Sequence, residues 1–308
     1  MSADDPTKTA IKDISRFLPT QLSARRSAYV IVLAGENAGA IHRLEGDELV
    51  IGRSPSCHIV LNDQGISRQH AKLERMGDGR VVLHDLGSTN GTFVDASRID
   101  IHELSDGDRF QLGDVTLLKF SHSDELEESF QRRLYESSVR DGLTMTYNRR
   151  HLDERLQAEF AFSIRHGVPF AFILLDIDHF KGINDLHGHQ AGDEVLRSLG
   201  ALLKREVRKE DVVARYGGEE FVILSRGTTA DQAVVLAERV RARVEGLGVV
   251  WDGARLDLTV SAGIAAFDRE RYPSSEAMVE AADLALYEAK RQGRNRTVKA
   301  GEIARVAK

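Results

Sequence analysis

The feature that most constrains the fold is a pair of adjacent glycines at positions 217–218, which separates two short apolar runs. The runs occupy residues 211–214 and 221–224 and have the length and composition of β-strands. Paired glycines accept the positive φ angles of a tight turn, so the stretch predicts a β-hairpin. Glu219 and Glu220 follow the glycines directly. Because neighbouring strand residues face opposite sides, at most one of these carboxylates can point at a given ligand.

A second stretch changes how these acids are interpreted. Residues 170–175 form a continuous apolar run, as expected of a central strand buried on both faces, and the run ends in Asp176, Ile177 and Asp178. Carboxylates at the end of a buried strand are costly unless a cation receives them. Glu219 on a neighbouring strand would complete an oxygen-rich site suited to Mg²⁺. Alone, the hairpin fits a surface turn with solvated acids; the two stretches together favour a metal site.

Further motifs follow one another in order between about residue 141 and about residue 297. They are Asp141-Gly142-Leu143-Thr144, Asn148-Arg149-Arg150, Asp176-Ile177-Asp178-His179-Phe180-Lys181, Asn184-Asp185, Gly188-His189, Gly192-Asp193, Gly217-Gly218-Glu219-Glu220-Phe221 and Ala289-Lys290-Arg291-Gln292-Gly293-Arg294-Asn295. In this order and spacing the set resembles the GGDEF domain of diguanylate cyclases. Between about residues 141 and 300 the chain alternates helical and strand-like patterns. Helices are predicted over residues 149–166, 192–206, 231–245 and 274–291, strands over residues 170–176 and 256–266 and near residue 296, and the hairpin over residues 211–224. A mixed sheet with helices packed on it fits this pattern, and the resemblance implies an α/β palm-like fold, related to ferredoxin and shared by nucleotidyl cyclases, for residues 141–300.

The resemblance implies an enzyme that condenses two GTP molecules into cyclic di-GMP and two pyrophosphates. It assigns Mg²⁺, with Mn²⁺ as an alternative, to the carboxylates of Asp176 and Glu219 and the carbonyl of Ile177. Glu220 lies beside the reacting hydroxyl, either as a base or as a positioning group. Each domain would hold one GTP, so catalysis requires a homodimer with two domains face to face. The implied substrate contacts are Asn184 and Asp193 for guanine, and Lys181, Lys290 and Arg294 for the triphosphate, with Gly217 and Gly218 as further substrate contacts. Lys290 and Arg294 are predicted to lie one helical turn apart.

An Arg-x-x-Asp pattern, Arg208 and Asp211, stands ahead of the hairpin. It resembles the site at which cyclic di-GMP inhibits this family. Arg208 would then bind a guanine or phosphate of the product, and Asp211 a guanine edge. The plain alternative is two solvated charges. A second arginine from the following helix, which carries Arg239, Arg241 and Arg243, could complete the site, and the sequence does not choose among the three.

Residues 28–121 consist of short strand-like runs separated by glycine-containing or polar turns, which predicts an all-β sandwich. The predicted strands cover residues 29–34, 40–44, 48–51, 58–61, 71–75, 81–85, 92–94 and 115–120. Three loop motifs stand between them: Gly52-Arg53, Ser67-Arg68-Gln69-His70 and Gly87-Ser88-Thr89-Asn90-Gly91-Thr92. Together they resemble a forkhead-associated (FHA) domain, a reader of phosphothreonine peptides.

By this resemblance Arg53 and Ser67 hold the phosphate, because charge-assisted hydrogen bonds from a guanidinium suit phosphate oxygens. Arg68 and Thr89 flank the phosphate, and Asn90 binds the peptide backbone. His70 is interpreted as a structural residue that ties loops together. The ligand is either a partner protein or the chain's own N-terminal tail, residues 1–27, which is polar and predicted to be flexible. The tail carries Thr7, Thr9 and Thr20, and covalent attachment would give it a high effective concentration.

Residues 122–140 lose the strand pattern, and residues 301–308 form a short C-terminal tail. Leu126, Phe130 and Leu134 recur at helical spacing and predict a connecting helix with one apolar stripe. The stripe fits a two-stranded dimer stalk and fits packing against the chain's own domain equally well.

Composition excludes several classes of function. With 42 basic and 48 acidic residues the net charge is −6, so nothing suggests binding to nucleic acid or to an anionic membrane. No apolar stretch approaches the length of a membrane span, the N-terminus is not signal-like, and Cys57 is the single cysteine; these features predict a cytoplasmic protein. His179, His187 and His189 lack the spacing of a closed zinc site.

The predicted function is therefore a diguanylate cyclase controlled by phosphothreonine recognition and by product inhibition. The alternative is a catalytically inactive GGDEF domain that acts as a receptor for cyclic di-GMP. The intact Asp176, Glu219 and Glu220 argue against this alternative, because a receptor need not keep metal ligands. A cyclase that makes a cyclic mononucleotide or a mixed dinucleotide is a third interpretation.

Overall fold

The computed structural model describes residues 27–35, 37–61, 63, 65–123 and 125–301. The chain consists of two compact units, Met1–Tyr135 and Glu136–Lys308. The tail threonines Thr7, Thr9 and Thr20 lie outside the described residues. No helix in the described ranges is long and apolar enough to cross a membrane.

The first unit is a β-sandwich of two sheets. One sheet has the strand order β2-β1-β11-β10-β7-β8 and the other β4-β3-β5-β6-β9. The inward faces of both sheets supply one apolar core, which includes Ile51, Leu83 and Phe110. The strands are β1 (Ser27–Ala34), β2 (Ile41–Arg43), β3 (Glu48–Gly52), β4 (Ile59–Val60), β5 (Ala71–Arg75), β6 (Val81–Asp85), β7 (Thr92–Val94), β8 (Ser97–Ile99), β9 (Ile101–Leu104), β10 (Arg109–Leu112) and β11 (Thr116–Ser123).

All eight strands predicted for this unit are present, and the sandwich is confirmed. Three further strands, β8, β9 and β10, were not predicted. Their sequences, SRI, IHEL and RFQL, are short and rich in polar residues. Only one residue in two of β10 is buried, and pairing with neighbours rather than propensity makes such a segment a strand.

Helix α1 (Glu125–Val139) confirms the predicted connecting helix. The ring of Tyr135 packs against Gly39 of the first unit, where a Cβ atom would come within 2.6 Å of the ring. Phe130 is 60% exposed and Leu134 is 53% exposed. The side chain of Leu126 lies outside the part of the chain that is described.

The second unit contains five helices and seven strands in the described range 136–301. The helices are α2 (Arg149–His166), α3 (Phe180–His187), α4 (His189–Glu206), α5 (Ala230–Glu245) and α6 (Ser275–Arg291). The strands are β12 (Phe170–Ile177), β13 (Val212–Gly217), β14 (Glu220–Arg226), β15 (Val249–Trp251), β16 (Ala254–Leu256), β17 (Val260–Ala266) and β18 (Thr297–Lys299). Five of these strands form the main sheet, in the order β13-β14-β12-β17-β18.

Strand β12 lies in the middle of this sheet and pairs antiparallel with β14 and β17. All eight of its residues are buried, as the uninterrupted apolar run predicts. Its side chains alternate between two cores. Ile173 and Leu175 share a core with α4 and α5, whereas Phe172 and Leu174 share a core with α2 and α6. The unit is therefore a sheet covered by helices on both faces. The acids lie where β12 ends and where β13 turns into β14, at the edge of the sheet that is formed by these strand ends.

Two details of the second unit differ from the sequence prediction. The single strand expected over residues 256–266 is two strands, β16 and β17, with residues 257–259 between them. Helix α3 and strand β15 were not predicted. Strands β15 and β16 form a separate hairpin around Asp252 and Gly253, which both have positive φ angles as the turn signal implies. Trp251 in this hairpin is partly buried and packs against the core.

Candidate active site and ligand clefts

The hairpin of β13 and β14 brings the predicted acids together. The antiparallel register of β12 and β14 places Asp176 directly opposite Glu220. Glu219 lies in the turn, next to Gly218 with its φ angle of +43°. The backbone N–H of Ile177 donates to the carbonyl oxygen of Glu219 at 3.4 Å. The two acidic stretches, 43 residues apart in the chain, thus meet at one edge of the sheet.

Arg215 holds the turn in place. Its Nε and Nη2 atoms both donate to the carbonyl oxygen of Gly218, at 3.0 and 2.8 Å. Its Nη1 atom donates to both carboxylate oxygens of Asp141, at 3.3 and 3.2 Å. Asp141 also accepts hydrogen bonds from the backbone N–H and the hydroxyl of Thr144, at 2.8 and 2.7 Å. The motif at the start of the unit therefore positions the acidic turn.

Sequence reasoning missed this positioning role of Asp141, Thr144 and Arg215. The Asp-x-x-Thr spacing is a signal for a side chain that caps its own turn. The link from Asp141 to Arg215 spans 74 residues, and no local pattern reports it.

The acids at the sheet edge repel one another and are poorly solvated. Burial raises the pKa of Asp176, and the negative charges of Glu219 and Asp178 act in the same direction against the opposing effect of Lys290. Burial likewise raises the pKa of Glu220, with a further contribution from the charge of Asp176. Lys290 Nζ lies 2.7 Å from Asp176 Oδ2. Lys290 therefore offsets the repulsion only in part, and a divalent cation would balance the charge of these carboxylates.

The donor set suits a hard cation. Asp176 and Glu219 offer carboxylate oxygens and Ile177 a carbonyl oxygen at the same edge. Among the residues that the structure describes, no group of three or more His, Cys, Asp or Glu side chains converges as a closed metal site. A metal here would therefore need ligands beyond the side chains, which is the way Mg²⁺ binds with a few carboxylates and substrate phosphates.

Asp178 has a structural role. Its Oδ1 atom accepts from the hydroxyl of Ser261 at 2.7 Å, and its Oδ2 atom accepts from the hydroxyl of Thr259 at 2.8 Å. Oδ2 also accepts from the backbone N–H of Asn295 at 3.0 Å. Asp178 therefore ties the segment after α6 to the end of β12.

The predicted guanine-binding residues lie on the two helices that follow β12. Asn184 is on α3 and Asp193 is on α4. A Cβ atom at Gly192 would collide with the side-chain oxygen of Asn184, so this glycine allows the Asn184 amide to pack against α4 at the residue before Asp193. Lys181 is exposed on α3, which begins four residues after Asp176. The structure thus brings Asn184 next to the part of α4 that carries Asp193.

The predicted helical spacing of Lys290 and Arg294 is wrong. Helix α6 ends at Arg291, and Gly293 follows with a φ angle of +112°. Arg294 and Asn295 also have left-handed φ angles, +63° and +46°. Positive φ angles end an α-helix, and the bond from Asn295 to Asp178 holds the chain in this turn. Arg294 is exposed there.

Arg208 and Asp211 line a cleft of about 370 Å³ beside helix α5. Of the three arginines left open by the sequence, Arg239 lines the same cleft. Arg241 instead binds Glu245 and Asn295, at 2.9 and 2.7 Å. The arginine that shares the cleft with Arg208 is therefore Arg239.

Both carboxylate oxygens of Asp211 already have partners within the chain. One accepts from the backbone N–H of Arg208 at 3.0 Å, and the other accepts from the hydroxyl of Ser225 at 2.8 Å. Burial raises the pKa of Asp211. The contacts give Asp211 a role in shaping the turn that presents Arg208.

The five residues predicted to bind a phosphopeptide line one cleft of the first unit, with a volume of about 660 Å³. They are Arg53, Ser67, Arg68, Thr89 and Asn90. The hydroxyl of Ser67 accepts from the backbone N–H of Thr89 at 3.0 Å, and Asn90 Nδ2 donates to the carbonyl oxygen of Gly65 at 3.1 Å. The loops that carry these residues are thus bonded to one another.

His70 confirms its structural interpretation. It is completely buried. Its Nδ1 atom accepts from the backbone N–H of Ser67 at 3.1 Å, and Nε2 donates to the carbonyl oxygen of Gly91 at 3.1 Å. Burial lowers the pKa of His70 and so favours the neutral ring that these two bonds require.

Asp85 is a positioning residue that sequence reasoning missed. It accepts hydrogen bonds from the backbone N–H of Ser88 at 2.8 Å and from the hydroxyl of Thr92 at 2.7 Å. It thereby holds the loop that carries Thr89 and Asn90. The Asp-x-x-Ser spacing before this loop was the available signal.

Comparison with known families agrees with both units. A model described as diguanylate cyclase, GGDEF domain, matches residues 138–296, just over half of the chain. A model of the FHA domain matches residues 49–113.

Several curated relatives carry names of diguanylate cyclases. Diguanylate cyclase DgcP of Pseudomonas aeruginosa is 44% identical over 161 residues, covering 52% of this chain and 24% of that protein. Probable diguanylate cyclase DgcC of Escherichia coli is 41% identical over 169 residues, covering 54% of this chain and 44% of that protein. The chain therefore spans less than half the length of these relatives.

Solved structures resemble the second unit. The coiled coil and GGDEF domain of DgcB from Caulobacter crescentus, in complex with c-di-GMP, has a TM-score of 0.53 and 33% identity, covering 57% of this chain and 93% of that one. Diguanylate cyclase SiaD from Pseudomonas aeruginosa, in complex with its activator SiaC, has a TM-score of 0.52 and 38% identity, covering 57% and 67%. The predicted multidomain fold is confirmed, and the chain belongs to the GGDEF domain family, with an FHA domain ahead of its GGDEF domain.

Proposed function

We propose that the chain is a diguanylate cyclase that condenses two GTP molecules into cyclic di-GMP. The observation that carries this proposal is the meeting of Asp176, Glu219 and Glu220 at one sheet edge, with Lys290 bonded to Asp176. The names of the similar proteins support it. Substrate and product chemistry of this kind belongs in the cytoplasm, where GTP is available.

The reaction consists of two equivalent bond exchanges. The 3′-oxygen of each GTP bonds to the α-phosphorus of the other, and the bond from that phosphorus to the oxygen bridging to the β-phosphate breaks. Pyrophosphate leaves with the electron pair, and the hydroxyl proton is released. Glu220, which lies opposite Asp176, would orient the hydroxyl or receive its proton. Because each unit offers one set of acids, the reaction requires a homodimer.

Bound Mg²⁺, or Mn²⁺ in its place, would stabilise the negative charge that develops on the attacked phosphate and on the leaving pyrophosphate. Asp176, Glu219 and the carbonyl of Ile177 would hold it. Lys290 contacts the same carboxylate and so lies next to phosphates bound at that edge. The remaining proposed contacts are Lys181 and Arg294 for the triphosphate, and Asn184 and Asp193 for guanine, with Gly217 and Gly218 as further substrate contacts.

The test is the nucleotide product. Purified full-length protein is incubated with GTP and Mg²⁺, and the products are separated by chromatography. We expect cyclic di-GMP from the wild type and from Glu280→Gln, which changes an exposed glutamate on α6. We expect none from Glu219→Gln or Asp176→Asn, which keep size and remove a metal ligand. Equal product from Glu219→Gln would contradict the proposed metal site.

A second function is favoured by the cleft beside α5. Arg208 and Arg239 both line this cleft of about 370 Å³. Two guanidinium groups in one cleft suit the phosphates and the guanine faces of cyclic di-GMP. The cleft would serve product inhibition in an active enzyme, or reception of the dinucleotide in an inactive one. Calorimetry with cyclic di-GMP should show binding that Arg208→Ala and Arg239→Ala each weaken, whereas Arg255→Ala, at an exposed arginine on β16, does not.

Activity separates the two roles of this cleft. An active cyclase whose Arg208→Ala variant makes more product at late times supports inhibition. A protein that binds cyclic di-GMP and forms no product, even after bound dinucleotide is removed, supports reception.

We further infer that the FHA unit binds a phosphothreonine peptide through Arg53, Ser67, Arg68, Thr89 and Asn90 and that this binding controls the enzyme. The ligand is the chain's own tail or a partner protein. Tail peptides phosphorylated at Thr7, Thr9 or Thr20 should be titrated into the full-length protein. Absence of binding to all three would eliminate the tail and leave a partner protein as the source.

A further inference from the structure

The cleft of the FHA unit is larger than one phosphate group requires. It holds about 660 Å³. A phosphate has five heavy atoms and occupies on the order of 100 Å³, judged from the ~30 Å³ that a water molecule takes in the liquid. Beyond the five proposed binding residues, the lining includes Ser54, Ser56, Gln69 and Leu86. The remaining volume is therefore available to side chains that flank phosphothreonine in a bound peptide.

Leu86 is the apolar part of this lining that a ligand can reach. Its side chain is 39% exposed, whereas Ile66, the other large apolar residue that the structure places in the lining, is 1% exposed. The backbone N–H of Leu86 donates to the carbonyl oxygen of the fully buried His70 at 2.9 Å. The backbone of Leu86 is thus held in place before a ligand binds, so a ligand that contacts Leu86 loses little binding free energy to ordering of the protein.

A single exposed leucine needs no functional explanation by itself. Leu86 differs from such a residue because it lies in the wall of a cleft whose charge defines its ligand. Arg53 and Arg68 line this cleft, and no carboxylate is present among the described lining residues. The cleft therefore favours an anion at one part and an apolar group at another. A charged side chain packed on Leu86 would lose hydration against this apolar surface.

We propose that the phosphothreonine ligand of this cleft carries an apolar side chain that packs on Leu86. The unit then selects its ligand by two features, the phosphate group and one apolar residue near it. This inference rests on the proposed recognition of phosphothreonine peptides.

The test uses the full-length protein and a peptide library with a fixed phosphothreonine and three varied positions on each side. We expect one position to favour Leu, Ile, Val, Met or Phe over Ser or Asp by about tenfold, the effect of burying part of one aliphatic side chain. Leu86→Ser should abolish this preference and leave the preference for phosphate. Leu33→Ser is the matched control, because Leu33 is 38% exposed in β1 of the same unit and lies outside the cleft lining.

The outcomes separate this inference from the function on which it rests. Phosphopeptide binding with no apolar preference, or with a preference that survives in Leu86→Ser, overturns the role of Leu86 and leaves the phosphopeptide function intact. Wild-type protein that binds phosphorylated and unphosphorylated peptides equally overturns both. So does an Arg53→Ala variant that binds as tightly as the wild type, since that guanidinium is proposed to hold the phosphate.

Discussion

The bond from Asp141 to Arg215 predicts that a residue at the start of the second unit controls the order of the acidic turn. Asp141→Asn keeps the side-chain volume and removes the charge that holds Arg215. Arg215 also donates twice to the carbonyl of Gly218, so a mobile Arg215 releases the turn that carries Glu219. The expected result is a hairpin that opens more often, with the rest of the fold intact.

The size of the effect follows from the bonds that change. The side chains of Asp141 and Arg215 are 22% and 19% exposed, so solvent screens the pair only in part. Hydrogen bonds to charged groups contribute about 1.5–3 kcal/mol each, and solvent access reduces this to about 1–3 kcal/mol for the pair. The free energy of local opening should fall by that amount. Amide hydrogen exchange in β13 and β14 should then accelerate by about 5- to 150-fold.

Hydrogen exchange read by mass spectrometry measures this opening directly. Asp153→Asn, at an exposed aspartate on α2, is the control and should leave the exchange of β13 and β14 unchanged. Loss of cyclic di-GMP formation in Asp141→Asn without faster exchange would show that Asp141 acts by another route. Unchanged exchange together with unchanged activity would refute the coupling itself.

The lowered pKa of Asp141 makes the stability of the β13–β14 hairpin depend on pH. Burial tends to raise the pKa of Asp141, but the bonds from Thr144 and the charge of Arg215 outweigh it and lower the pKa. A carboxylate with a lowered pKa stabilises the folded state above the unfolded pKa of about 3.9 and loses this contribution as the pH falls through the folded pKa. The difference in hairpin opening between wild type and Asp141→Asn should therefore be full near pH 7 and shrink below about pH 4.

Three further substitutions test other parts of the structure. Met145 has a φ angle of +55° and a half-exposed side chain. Because glycine accepts this φ angle without strain, Met145→Gly should stabilise the second unit by about 1 kcal/mol in thermal unfolding, whereas Met145→Ala should not. His70→Ala leaves the backbone N–H of Ser67 without its partner and opens a cavity. We expect the free energy of unfolding to fall by about 2–4 kcal/mol and phosphopeptide binding to weaken. Stability and binding close to those of the wild type would contradict the structural role. A Cβ at Gly263 would collide with the backbone of α6, so Gly263→Ala should cost about 3 kcal/mol or more, whereas Gly182→Ala, with open space around it, should be neutral or stabilising.

Much of the local structure is determined by the sequence alone. The predicted bounds of α2 agree with the observed helix, because Asn148 caps its start and Gly167, with a φ angle of +67°, ends it. The burial of β12 and the hairpin at positions 217–218 follow from an unbroken apolar run and from paired glycines. These features depend on residues that are neighbours along the chain. Side-chain periodicity and turn chemistry therefore report them.

Only the tertiary structure decides which distant groups meet. It selects Arg239 for the cleft with Arg208 and bonds Lys290 to Asp176. It also places Arg294 in a left-handed turn after α6, where the sequence predicted one helical turn between Lys290 and Arg294. The bond from Asp141 to Arg215 is of the same kind. Such contacts result from strand register and from the burial of helix faces against the sheet. These depend on residues tens of positions apart, and a local pattern carries no record of them.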